Sequence, residues 1–198
     1  IYNSNNNSFR ENNRNWYSWF NADDCHCSNC INKCKYIFRP RTIKFSRNGK
    51  FCYLICGLKN YISVYSYEDG GKSPKFELIQ TVPTLNEYHA GSSSACALRF
   101  SRDDKKLLIT NAGDNSVVVY KIDEQTGLLE KLFCLPVSGD YPKDAALFPD
   151  NKHLLSLNHE SNTMTFFSVD LEKGLLVMNG KEKKVASPNC AIFHKLNQ

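Results

Sequence analysis

The sequence predicts an all-β chain of the propeller kind: about three four-stranded antiparallel blades, followed by one terminal strand that opens a fourth. Two observations predict it. A pattern recurs at a spacing near that of propeller arrays, and each copy holds four short apolar runs separated by polar turns in the same places. The landmarks Phe45, Phe100, Leu147 and Phe193 stand 55, 47 and 46 residues apart.

The first strand of each copy is the alternating run before a polar turn. Pro40-Arg41-Thr42-Ile43-Lys44-Phe45 leads into Ser46-Arg47-Asn48-Gly49-Lys50, and Ala95-Cys96-Ala97-Leu98-Arg99-Phe100 into Ser101-Arg102-Asp103-Asp104-Lys105. Pro142-Lys143-Asp144-Ala145-Ala146-Leu147 leads in the same way into Phe148-Pro149-Asp150-Asn151-Lys152. A second apolar strand follows each turn, over 51–56, 106–111 and 153–158. Then come a short loop with an aligned asparagine (Asn60, Asn115, Asn162) and a third strand rich in β-branched and aromatic residues, over 62–65, 117–120 and 164–167. Turns ending in Gly71, Gly127 and Gly174 lead to the fourth strands, expected over 76–82, 128–135 and 175–181.

These elements place the blades at about 40–85, 95–137 and 142–185, with a closing strand over 188–195, inside a propeller domain of residues 35–198. The longer first interval comes from an insertion over 86–94, which reads either as a binding loop or as a solvated connection. Residues 1–34 differ in kind. Their asparagine-rich tract and the run Trp16-Tyr17-Ser18-Trp19-Phe20 show no blade pattern, so an irregular segment is expected. The chain opens on Ile1, which reads as part of a longer polypeptide, and three whole blades alone cannot close a ring.

Composition narrows the function classes. The chain is 41% hydrophobic and 23% charged, as in ordinary globular proteins. Its net charge of +5 is scattered and forms no basic stripe, which speaks against nucleic acid and is compatible with a phosphorylated small molecule. No apolar run approaches the ~20 residues of a membrane helix, so no membrane role is expected. Of nine cysteines, five fall in or near strands as small apolar residues, which favours a reducing compartment and hence the cytosol. Nucleotide-binding loops and serine-hydrolase or zinc-protease motifs are absent from the sequence.

Cys25, Cys27, Cys30 and Cys34 bring four thiols within ten residues. Such a set can hold zinc or an iron–sulfur cluster, but structural zinc sites join two separated knuckles and only one compact cluster is present. No metal and no cofactor is assigned, and incidental cysteines of an irregular arm are the alternative. His159 follows Asn158 at the end of a second strand and either faces the central channel or is a solvated loop histidine beside Glu160. His89, in the insertion near Glu87, either approaches a ligand or lies on the surface. Asn111 and Asn158, at equivalent strand ends, complete the candidate binding residues.

The ordered set Pro40-Arg41-Thr42-Ile43-Lys44-Phe45-Ser46, Leu78-Ile79-Gln80-Thr81, Gly139-Asp140-Tyr141-Pro142-Lys143 and Ser187-Pro188-Asn189-Cys190 resembles the C-terminal part of the bacterial 6-phosphogluconolactonase-type, seven-bladed lactonase family. Family patterns at these places look like G-P-R-H-I-x-F-S-P-D-G-K, L-x-x-I-x-T, G-x-W-P-R and S-P-x-C. The resemblance implies a propeller that hydrolyses a sugar lactone or sugar phosphate lactone such as 6-phosphogluconolactone, at one end of its channel, with arginine, glutamate and histidine. On that basis Arg41, Lys143 and His159 are the candidate catalytic residues, with His89, Asn111 and Asn158 as candidate substrate contacts. Several family positions depart: the histidine after the first arginine is Thr42, an Asn-Glu pair is Cys56-Gly57, an Asn-Arg pair is Asn111-Ala112, a further glutamate is Ala97, and an arginine is Lys143. The depleted set leaves a second expectation open, a propeller that binds a protein or metabolite without catalysis.

Overall fold

The computed structural model describes residues 40–71, 73–87 and 91–194. The three sheets that the repeat demands are present. The first is built from β1 (Pro40–Phe45), β2 (Phe51–Cys56), β3 (Tyr61–Glu68) and β4 (Lys75–Pro83), hydrogen-bonded in chain order. The second holds β5 (Ser94–Phe100), β6 (Lys106–Ala112), β7 (Ser116–Ile122) and β8 (Leu129–Pro136), in the same order. The third runs β9 (Pro142–Leu147), β10 (His153–Asn158), β11 (Thr163–Asp170) and β12 (Leu175–Met178), with the two-residue β13 (Lys183–Lys184) also pairing with β11. All pairings are antiparallel. The first strands lie side by side, β5 packing on both β1 and β9, and this gives the sheets a shared inner edge.

Period-two alternation explains why the blades stack. In β6 the side chains of Leu107 and Ile109 join a core with Tyr53, Ile55, Ile62 and Val64 of the first blade, while Leu108 between them joins Ala145, Leu147, Leu154 and Phe167 of the third. In β7, Val118 and Tyr120 face the first blade, and Val117 and Val119 the third. A strand covered on both faces reads as a continuous apolar run, as Val117-Val118-Val119 does. Each such side chain, when fully buried, contributes roughly 1.5–3 kcal/mol.

The turns repeat atom for atom. Asn48, Asp103 and Asp150 each accept the amide of the lysine two residues on, through Oδ1. The aligned asparagines adopt the left-handed conformation at φ of 55°, 55° and 54° for Asn60, Asn115 and Asn162, which asparagine tolerates better than most residues. Their carbonyls accept the amides of Thr84, Val137 and Val185 as the chain leaves each outer strand. Their side chains reach the connection to the next blade: Asn60 Nδ2 donates to Ser93 O, Asn115 Oδ1 accepts Tyr141 N, and Asn162 Oδ1 accepts Ser187 N.

The outer edge of the third blade differs from the sequence expectation. Its fourth strand ends at Met178, with one more bond from the Asn179 amide to Phe166 O, and pairing resumes only at Lys183 in a register displaced by two residues. Pro188–His194 joins no sheet. It is held beside the third blade by the Ala191 amide, which donates to Asp144 Oδ2 at 2.9 Å, and by the Phe193 ring, 4.4 Å from that of Phe148.

Candidate functional site

The inner strands share an irregularity at the end where they begin. In β1 the pairing steps from Pro40↔Cys56 to Thr42↔Ile55 and leaves Arg41 unopposed. In β9 it steps from Pro142↔Asn158 to Asp144↔Leu157 and leaves Lys143 unopposed. In β5 the step falls between Ala95 and Leu98, where the Ala97 amide is capped by Thr110 Oγ1 at 3.1 Å. A β-bulge turns the extra residue out of the ladder and re-aims its side chain. Both cationic residues inferred from the family pattern therefore occupy one repeat-equivalent bulge, at the rim where the second strands end.

Lys143 and His159 each contact Tyr141, Lys143 through its ammonium and His159 through its backbone amide. The Tyr141 amide donates to Asn115 Oδ1 at 2.8 Å, and its carbonyl accepts the His159 amide at 3.0 Å. Held from both sides, Tyr141 takes φ of 59°, an uncommon conformation for a bulky side chain and one found disproportionately at functional sites. Its ring lies under the Lys143 ammonium, 4.7 Å from centroid to Nζ. His159 Nδ1 is buried and has no hydrogen-bond partner among the described residues. Tyr141 escaped the list of site residues drawn from the sequence, although the aromatic position in G-x-W-P-R marked it.

Arg41 is exposed at the same rim on the first blade. Beside it the rim is closed: a Cβ on Gly57 would meet Ser94 Oγ at 3.1 Å, Ala95 O at 3.2 Å and Arg41 Cδ at 3.6 Å. The place equivalent to His159 is thus filled from the neighbouring chain in the first blade, and it carries only a methyl group, Ala112, in the second.

Asn111 and Asn158 are fully buried. Asn158 donates to Thr163 Oγ1 and Thr165 Oγ1 at 3.1 and 3.3 Å and accepts from Ser156 Oγ, so its amide is spent on its own blade. Asn111 donates to Thr84 O and Ser116 Oγ, and its Oδ1 is buried without a partner. The expectation that these two amides meet a substrate does not fit their burial; both tie strand ends to adjoining loops. His89 and the cysteines Cys25, Cys27, Cys30 and Cys34 lie outside the described residues, as does the irregular segment 1–34. Among the described residues no group of three His, Cys, Asp or Glu side chains is placed to hold a metal, and no helix is long and apolar enough to cross a membrane.

A further constellation sits on the inner strands that the sequence left unmarked. Arg99 of β5 grips Asp144 of β9 with two hydrogen bonds, Nε to Oδ1 at 2.9 Å and Nη2 to Oδ2, and Nη2 also reaches Cys190 Sγ at 3.3 Å. Hydrogen bonding to Asp144 drives the Arg99 guanidinium further above its ordinary range and keeps it charged.

Comparison with known proteins gives the arrangement its context. A periplasmic gluconolactonase of Pseudomonas aeruginosa superposes with a TM-score of 0.71 at 27% identity, over 78% of this chain and 42% of that one. A candidate 6-phosphogluconolactonase of Bacteroides fragilis superposes with a TM-score of 0.65 at 30% identity, over 76% of this chain and 40% of that one. An uncharacterized protein of Lactococcus lactis is 30% identical over 152 residues, which are 77% of this chain and 44% of that protein. The chain therefore spans less than half the length of the relatives it matches. The family model described as lactonase, 7-bladed β-propeller, matches residues 33–193, and on that match the chain, with its three four-stranded antiparallel sheets, belongs to the seven-bladed β-propeller lactonase family.

Proposed function

We propose that the rim carrying Arg41, Lys143 and His159 is the part of a lactone-hydrolysing site that this chain supplies, and that the substrate is an anionic sugar lactone such as 6-phosphogluconolactone. The observation that carries this reading is the placement of Arg41 and Lys143 at the same bulge of two inner strands, with His159 one hydrogen bond from the loop that seats Lys143. The names of the similar gluconolactonase and candidate 6-phosphogluconolactonase support the substrate class.

Lactone opening needs a base to draw a proton from water, a group to hold the developing oxyanion, and cations for the substrate phosphate or carboxylate. His159 acts as the base. Water adds to the lactone carbonyl, the ring C–O bond breaks, and the proton passes to the departing alkoxide, leaving the open-chain acid. Arg41 presents a planar fork suited to phosphate, and Lys143 a compact point charge. Free, buried cysteines such as Cys52, Cys96 and Cys134 suit a reducing compartment such as the cytosol.

One observation favours a second reading. Gly57 and Ala112, neither of which carries an acid or base, stand where the third blade has His159, so the chain also fits a binding propeller without turnover. Acid release from 6-phosphogluconolactone and from gluconolactone at constant pH decides between them, with the full-length protein and its Arg41→Ala variant. Turnover above the spontaneous rate that falls in the variant supports hydrolysis. Spontaneous-rate release in both rejects it and leaves the binding module.

A further inference from the structure

Inner-strand positions Thr42, Ala97, Asp144 and Cys190 are equivalent by repeat, as are Lys44, Arg99, Ala146 and Ile192. Arg99 of the second blade meets Asp144 of the third. The corresponding couples at the neighbouring junctions are Lys44 with Ala97 and Ala146 with Cys190, neither of which can form an ion pair. The first and second blades bury a full core with no ion pair at this inner-strand position, their Arg47–Asp104 pair lying between turns, so blade stacking does not require a pair on the inner strands.

The pair is nevertheless deeply set. The Asp144 side chain is 3% exposed and that of Arg99 28%. A carboxylate so far from water is costly unless donors surround it. Asp144 has three: Arg99 Nε and Nη2 from the inner strand before its own, and the Ala191 amide from the segment that follows the third blade. It also directly follows Lys143 in the bulge. The backbone on the other side of Lys143 is fixed at Tyr141 by Asn115 and His159. Residues 141–144 are thus anchored at both ends, with the unopposed lysine between the anchors.

We propose that Arg99 and Asp144 are positioning residues that lock the bulge in β9, and with it the Lys143 ammonium, for the anionic group of the substrate; neither touches substrate. The inference rests on the rim being the anion-binding part of a lactonase site, and the test keeps the two apart.

Binding of inorganic phosphate to the full chain is measured by calorimetry, alongside KM and kcat for 6-phosphogluconolactone and the thermal midpoint. The variants are Lys143→Ala, the joint replacement Arg99→Met with Asp144→Leu, and all three changes together. The joint replacement removes both charges at similar volume and leaves only the part-buried Ala191 amide without its acceptor, so it is expected to stay folded. Expected are a phosphate affinity reduced by about tenfold, a raised KM with kcat nearly kept, and no further loss when Lys143→Ala is added, since residues acting through one group are not additive. Unchanged affinity in a folded joint variant, or losses that simply add to that of Lys143→Ala, overturns the positioning role while leaving the rim intact. If the joint variant does not fold, Arg99→Lys serves instead, because it keeps the charge but not the two-pronged grip. Reduced phosphate affinity in that variant supports the role, and wild-type affinity overturns it. A wild-type chain that neither binds phosphate nor hydrolyses the lactone refutes the rim itself, and the positioning role falls with it.

Discussion

The ammonium of Lys143 rests 4.7 Å from the centre of the Tyr141 ring, two residues earlier in the chain, and Tyr141 is itself pinned by Asn115 and His159. A ring under a cation contributes roughly 0.5–2 kcal/mol to its placement. Tyr141→Phe keeps the ring and is expected to bind phosphate like the parent. Tyr141→Leu is expected to weaken phosphate binding by roughly three- to tenfold, with little change in the unfolding midpoint. Calorimetric titration of both variants checks this, and equal affinity in the two contradicts it.

The repeat made the blades legible because the physical demand on each is the same: a turn held by an Asx contact, a left-handed asparagine, and strands covered on both faces. Asn48, Asp103 and Asp150 sit at one aligned place in the sequence and make one aligned contact in the structure. The bulges were not legible, since a bulge depends on the pairing of two strands and not on the pattern of either. Hence Arg41 and Lys143 came from motif likeness, and their shared irregularity emerged only from the register. The Arg99–Asp144 pair was hidden for a related reason: its partners lie 45 residues apart on different blades, and each alone looks like an ordinary strand charge. Asn111 and Asn158 misled in the opposite direction, because a polar residue at a strand end looks the same whether it faces a ligand or caps its own loops.

Two tyrosines fasten adjoining blades. Tyr53 Oη donates to Gly127 O at 3.0 Å, across from the first blade to the turn of the second, and Tyr120 Oη donates to Pro83 O in return. Removing either hydroxyl leaves a carbonyl short of a partner, so Tyr53→Phe and Tyr120→Phe are each expected to cost about 1–2 kcal/mol. Urea unfolding measures the loss. Because the two bonds involve separate carbonyls, the double variant is expected to lose about the sum.

Turn glycines are not equivalent. Gly71 and Gly127 both have positive φ, at 65° and 73°, but nothing lies within 4 Å of a Cβ built on Gly71, while one on Gly127 would meet the Phe51 ring at 2.4 Å. Gly71→Ala should therefore cost only the backbone term, about 1 kcal/mol. Gly127→Ala adds overpacking of the buried Phe51 and should cost roughly 2–4 kcal/mol in all. Comparable unfolding midpoints for the two variants would contradict the packing argument.

Alkaline conditions probe the buried ionisable groups of the first two blades. Burial pushes the Cys52 thiol from 9.0 up to about 12, and raises the Tyr53 and Tyr120 hydroxyls above their ordinary range as well. Between pH 9 and about 12 the unfolded chain has lost the Cys52 proton while the folded chain keeps it. The unfolded state then binds fewer protons, so stability present below pH 9 is lost as pH rises, at about 1.4 kcal/mol per pH unit for this one group. The tyrosines add to the slope once the pH passes their unfolded value of 10.0. Urea midpoints should accordingly fall from about pH 8 to about pH 11, and less steeply between pH 9 and 10 for Cys52→Val, which fills the same site without an ionisable group. A midpoint that stays level across that range, or an equal slope in the variant, would show that the thiol is not held neutral by the fold.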